Sequence, residues 1–150
     1  MQLYQLIDLE RIIIPLKSRE RHEAFKELVA VMPQELDQAF ILEQLWDREQ
    51  KMTTGIGFEV AIPHAYIDTV DELVICVGIQ PSGIDFQSID YQPVKLIFMN
   101  LAPKNKPELH RNYLQYLSQL LYKTDQRHLL MSSLCPEDFL ECLELVENRT

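Results

Sequence analysis

Basic residues are in short supply: 14 Lys and Arg stand against 23 Asp and Glu, leaving a formal charge of -9. That field repels nucleic-acid phosphates and anionic lipid heads alike, so nucleic-acid binding is disfavoured and a partner with a basic docking face is favoured. Cysteine is scarce too. Cys76, Cys135 and Cys142 are odd in number and form no CxxC pair, which argues against a disulfide framework and against a zinc site. No HxH, HExxH or paired carboxylate–histidine spacing of the kind used by metal-dependent hydrolases is present. Glycine occurs only four times, and there is no internal repeat or low-complexity tract. A basic leader followed by a long apolar stretch is missing, and no run approaches the roughly 20 apolar residues that span a bilayer. The expectation is a reduced, cytoplasmic protein without direct membrane insertion, folded as one domain over residues 1–150.

What is present is a clear alternation of elements. Ile12 to Leu16, interrupted by Pro15, reads as a brief strand or edge segment, and Ser18 offers an N-cap for a first helix carrying Phe25, Leu28, Val29 and Met32 at helical spacing. Pro33 breaks it before a second helix, which runs to about Glu49 and is apolar on more than one face through Leu36/Phe40, Ile41/Leu45 and Leu42/Trp46. Gly55 and Gly57 end that pattern. Phe58 to Ile62 then reads as a strand stopped by Pro63, which leaves His64 where strand gives way to loop. Leu73–Ile79 and Val94–Leu101 are nearly continuous apolar runs, the pattern of strands covered on both faces. The segment PSGIDFQSID between them reads as a loop with one apolar plug, Phe86. An amphipathic helix follows with Leu109, Tyr113, Tyr116, Leu117, Leu120 and Leu121, and His110 lies in its first turn. Shorter helices are expected around Gln126–Ser133 and from Pro136 to about Val146. Helices, strands, then helices fit a three-layer αβα sandwich around a mixed, mainly parallel central sheet of about five strands.

Four stretches carry the chemistry: DRE at 47–49, TTGIG at 53–57, AIPHA at 61–65, and PELHRNYL, which contains His110. A neutral imidazole at a strand end suits nucleophilic work near pH 7, because its bare nitrogen attacks without a separate base. A phosphoryl group on His64 would bring close to two negative charges that fixed donors must meet. Arg48 offers a planar guanidinium fork for phosphate oxygens. Thr53 and Thr54 offer hydroxyls, of which extended geometry turns only one to the phosphate, taken here as Thr54. The glycines beside them, Gly55 first, let backbone amides approach an anion. His110 sits where a helix N-terminus already favours negative charge.

Each of these residues also has a plainer role open to it. Arg48 could serve as a cation at a helix C-terminus, and Thr53 and Thr54 as turn formers. His22 and His128 match no motif and read as structural or surface residues, Tyr113 and Tyr116 as core-facing positions. Glu49, Asp68 and Glu72 could shape the rim of a site, but read first as solvated surface.

Taken together, REQKMTTGIGFEVAIPHA resembles the signature of the mannitol/fructose-type IIA domain of the bacterial phosphotransferase system: Arg-Glu, three residues, Ser or Thr, TGIG, three residues, AIPHA. PSGIDFQSIDYQPVKLIFMNLAP and the histidine opening the next helix extend the resemblance over almost the whole chain. Phe58 and Glu59 depart from it, standing where small residues or Asn and Gly are usual. The resemblance implies an αβα fold, a phosphohistidine at His64, neutralisation of the phosphate by Arg48 and a supporting role for His110, with no cofactor and no metal. It also implies partners: an HPr-like (or NPr-like) phosphocarrier as donor, and a IIB protein or a regulatory target such as a kinase or transporter as acceptor. With no attached IIB or IIC segment in sight, the free-standing nitrogen-regulatory IIA is the expected type, and a fructose-like transport IIA or a silent interaction module the alternatives.

Overall fold

The computed structural model describes residues 1–149. In chain order it contains α1 (Leu3–Leu6), a 3-10 turn (Leu9–Arg11), β1 (Ile12–Ile13), α2 (Arg21–Val29), α3 (Gln38–Lys51), β2 (Gly55–Gly57), β3 (Val60–Ala61), β4 (His64–Ile67), β5 (Val74–Ile84), β6 (Val94–Pro103), α4 (Pro107–Leu120), α5 (Thr124–Met131) and α6 (Pro136–Asn148). No helix among the described residues is long and apolar enough to cross a membrane.

The sheet runs β1-β5-β6-β3-β2, with β4 also paired to β6. Three pairings are parallel (β1 with β5, and β3 and β4 with β6) and two antiparallel (β2 with β3, β5 with β6). The αβα sandwich is therefore as expected, with six strands rather than about five. The difference has a simple origin: β3 and β4 follow one another along the same edge of β6, Val60 and Ala61 opposite Leu96 and Ile97, then His64 to Ile67 opposite Asn100 to Pro103. Pro63, which has no N–H to give the ladder, interrupts this line while its carbonyl still accepts from the Asn100 amide at 2.9 Å.

Alternation along the strands divides the core. Ala61, Ala65, Ile67, Cys76, Ile97, Met99 and Leu101 pack with α2 and α3, whereas Val60, Ile62, Ile75, Val77, Ile79, Leu96 and Phe98 pack with α1, α4 and α6. Phe86 is fully buried in the first cluster, as expected of a plug, but it is not alone: Ile84 of the same segment is buried there too.

Several boundaries differ from expectation. Ser18 does not cap α2: the helix starts at Arg21, and the Ser18 hydroxyl instead donates to Glu27 at 2.7 Å, alongside the amides of Lys17 and Ser18. β5 runs on through Pro81 to Ile84, into the stretch read as loop. Phe58–Ile62 is not one strand. Phe58 and Glu59 form the two-residue turn of the β2–β3 hairpin, with φ of 58° and 67°, and β3 is only Val60–Ala61. Left-handed backbone costs such residues about 1–2 kcal/mol each, and tertiary contacts offset it here. The Phe58 amide donates to Asp90 at 2.9 Å, Lys95 pairs with Glu59 at 2.8 Å, and the Arg127 guanidinium lies 4.5 Å above the Phe58 ring.

Candidate functional site

His64 is the first residue of β4, so the structure sets it at a strand's start rather than in a loop. Its ring is half-buried. Nδ1 lies 3.0 Å from the Ile62 carbonyl, an acceptor only, which requires the proton on Nδ1 and leaves Nε2 as the bare nitrogen. Burial pushes the pKa of the ring below the ordinary histidine value; the Ile62 hydrogen bond works against this, the Arg48 charge with it, and the Glu49 charge against it. The ring is thus neutral and nucleophilic near pH 7.

Arg48 approaches from the last turn of α3. Its Nη1 donates to the Met52 carbonyl at 2.8 Å, which holds the guanidinium by one edge. A cavity of about 290 Å³ opens beside α3 and β4, with Arg48, Lys51, Lys104, His64 and Tyr66 on its walls and Asp47 its one acid. In a chain of charge -9, this sets three cations, of which Lys104 is shared with Asp68 at 3.6 Å, beside a neutral imidazole, an arrangement able to attract an anion.

His110, the fourth residue of α4, comes from the other helical layer. It is 1% exposed, and its ring centroid is 4.9 Å from that of His64. Burial, and secondarily the His64 charge, push its pKa down to about 4, so it too is neutral. Its Nδ1 is 2.8 Å from the Tyr66 hydroxyl, while Nε2 is buried without a hydrogen-bond partner among the described residues.

The structure thus brings His64, Arg48 and His110 together. Neither Thr54 nor Gly55 is on the wall of the cavity, and nor is His110, which reaches the site through its contact with the His64 ring. The Thr54 hydroxyl donates to Glu49 at 2.5 Å and the Thr54 amide to the same carboxylate at 2.8 Å. The Thr53 hydroxyl donates to the Phe86 carbonyl and receives the Gly55 amide at 3.1 Å. Gly55 itself faces Ser88 so closely that a Cβ there would lie 2.2 Å from Oγ.

Glu49 is a correction to the sequence reading. It is 2% exposed rather than solvated, with Arg21 3.6 Å away. Its spacing carried the signal, since Glu49 continues the buried stripe of Ile41 and Leu45 by one more step of four. Tyr66 went unnoticed as well, although it stands two residues beyond His64 and shares its face of the sheet. So did Asn100, the β6 residue opposite His64 in register, which is fully buried. His22 packs edge-on against Trp46 at 4.6 Å, a structural role as expected. No group of three or more His, Cys, Asp or Glu among the described residues is arranged to hold a metal ion.

Comparison with known proteins places this geometry among relatives. The family described as "Phosphoenolpyruvate-dependent sugar phosphotransferase system, EIIA 2" matches residues 5–145. A nitrogen regulatory protein of Pseudomonas aeruginosa is 30% identical over 152 residues, covering 95% of this chain and 99% of that protein. A fructose-specific EIIABC component of Bacillus subtilis is 31% identical over 136 residues, which are 89% of this chain but only 21% of the larger protein. Among solved structures, the nitrogen regulatory protein IIA-Ntr of Neisseria meningitidis superposes with a TM-score of 0.88 at 26% identity, covering 95% of this chain and 99% of that one.

Proposed function

Because the chain belongs to the EIIA 2 family of the phosphoenolpyruvate-dependent sugar phosphotransferase system, we propose that it is a phosphohistidine carrier with His64 as the phosphorylated residue. The observation that carries this reading is the Nδ1–Ile62 hydrogen bond, which leaves Nε2 as the nucleophile beside a cationic cavity.

In the transfer, the lone pair of His64 Nε2 attacks phosphorus on the phosphohistidine of an HPr-like donor. A new N–P bond forms as the donor's N–P bond breaks, and that electron pair returns to the donor's imidazole. No proton need leave His64. The ring takes on positive charge, which the Ile62 carbonyl stabilises through Nδ1–H. Arg48, with Lys51 and Lys104 on the same cavity wall, meets the phosphoryl oxygens, and His110 supports them from the α4 side. Catalysis is then positioning plus charge stabilisation. Thr54 and Gly55 contribute from behind, Thr54 by holding Glu49 and Gly55 by allowing the loop to close on Ser88.

As to role, near end-to-end similarity to nitrogen regulatory proteins supports a regulatory IIA, whose output is binding to a target controlled by phosphorylation state. A similar identity, 31% against 30%, to part of a fructose-specific protein supports the alternative, transfer to a IIB protein. Incubation with phosphoenolpyruvate, the general enzyme of the pathway and an HPr-like carrier should place acid-labile, base-stable phosphate on the chain, and His64→Ala should abolish it. Incorporation that survives this substitution overturns the assignment. Onward transfer to a IIB cysteine would decide for transport.

A further inference from the structure

Three aromatic rings from two elements meet beside the cavity, His64 and Tyr66 on its wall and His110 buried behind them. Tyr66 and His64 stand on one face of β4 with centroids 6.4 Å apart, and His110 of α4 lies 4.9 Å from His64 and 5.0 Å from Tyr66. One hydrogen bond joins them, between the Tyr66 hydroxyl and Nδ1 of His110 at 2.8 Å. This bond can run in two directions. If Nδ1–H donates to the phenolic oxygen, Nε2 of His110 is a lone pair; if the phenol donates, Nε2 carries the proton.

We propose that Tyr66 is a positioning residue that sets the tautomer of His110: its O–H donates to Nδ1, keeps the proton on Nε2 and makes His110 a hydrogen-bond donor toward the phosphoryl group on His64. The inference rests on the carrier reading above for its purpose, but not for its geometry. In the carrier reading, the phosphoryl group bonded to His64 Nε2 lies beside the His110 ring, whose centroid is 4.9 Å from that of His64, and its oxygens accept hydrogen bonds. A lone pair on His110 would repel them. The opposite direction of the Tyr66 bond would therefore set the Nε2 lone pair of His110 against the anion it flanks. Nε2 of His110 has no partner among the described residues in the unphosphorylated protein. A donor held buried and unpaired, with the phosphoryl oxygens as its partner, is already oriented for the charge that arrives. Tyr66 is 43% exposed, so its oxygen can accept from water while its proton is committed to His110.

Long-range nitrogen–proton correlation spectra of the histidine rings test this in the free protein, together with the rate of phosphorylation by the HPr-like carrier. His110 should appear as a single neutral tautomer protonated on Nε2. Tyr66→Phe, which keeps the ring and removes only the hydroxyl, should shift His110 toward the Nδ1–H form and slow phosphorylation about fivefold, the worth of one neutral hydrogen bond. His110 protonated on Nδ1 in the unsubstituted protein, or an unchanged tautomer in Tyr66→Phe, overturns the proposal even if the rate falls. A tautomer shift in a protein that takes up no phosphate supports the role of Tyr66 and overturns the carrier reading instead.

Discussion

The Glu49 carboxylate receives both hydrogen-bond donors of Thr54, the amide at 2.8 Å and the hydroxyl at 2.5 Å. These two bonds tie the last turn of α3, which carries Arg48, to the start of the β2–β3 hairpin, which leads into His64. The family signature's Arg-Glu pair thus divides its labour: Arg48 faces the cavity, and its neighbour on the next face of the helix anchors the helix end.

Replacing that anchor should be costly. Glu49→Ala leaves a buried amide and a buried hydroxyl unmatched, and the expected loss is about 2–4 kcal/mol of unfolding free energy, measurable by urea denaturation. Glu49→Gln retains one acceptor oxygen and should fall between the two. If Glu49→Ala unfolds at the same urea concentration as the parent protein, the anchor contributes nothing.

The hairpin turn also marks the limit of what could be read from sequence. β5 and β6 were legible because their apolar runs state that both faces are covered, and α4 because Leu109, Tyr113, Leu117 and Leu120 repeat at helical spacing. Phe58 and Glu59 gave no such sign. Two-residue hairpins with left-handed backbone normally advertise themselves with Asn or Gly, and here the turn is held by Asp90, Lys95 and Arg127, all distant in the chain. Taking Phe58–Ile62 as a single strand moved the strand end to Pro63, and that in turn hid Tyr66, whose position is obvious once β4 is known to begin at His64. His64, Arg48 and His110 stood out as candidates because their residue types suit phosphate chemistry, and the fold sets Arg48 and His110 each beside His64. For Glu49 the spacing from Ile41 and Leu45 signals burial but not its partner Thr54, and Tyr66 gave no signal, since its importance lies in which neighbour it touches.

Acid should weaken the fold through His110. Its pKa is about 4 in the folded protein against 6.5 in the unfolded chain, so above pH 6.5 both states hold a neutral ring and the associated stability is fully present. As pH falls from 6.5 toward 4, the unfolded chain takes the proton first, and about 3 kcal/mol is lost across that window. His64 acts in the same direction, its own value being lowered by burial. Urea titrations at several pH values on the parent protein and on His110→Gln would isolate the His110 share as the difference in slope. Parallel slopes would show that the ring protonates as easily in the fold as outside it.

Arg48 should not tolerate the nominally conservative exchange. Lysine retains the charge but loses the planar fork that lets one edge bind the Met52 carbonyl while the other faces the cavity. Arg48→Lys is expected to slow phosphorylation by the HPr-like carrier about tenfold, and Arg48→Ala by about a hundredfold or more, with unfolding free energies little changed. Equal rates for the parent and Arg48→Lys would reduce the residue to a point charge.

Gly55 offers a way to separate packing from phosphate contact. A Cβ at this position would lie 2.2 Å from Ser88 Oγ, 3.0 Å from Ser88 Cβ and 3.1 Å from Phe86 Cβ, so Gly55→Ala must push β2 away from the segment beside it. The expected cost is about 1–3 kcal/mol, the range for an extra methyl in a packed site. Removing the obstacle with Ser88→Gly in the same chain should recover much of that loss, since the nearest two clashing atoms are then gone. A packing glycine predicts that phosphorylation of His64 recovers with stability in the double variant. Stability that returns without the rate would instead assign the Gly55 backbone a direct part in holding the phosphoryl group.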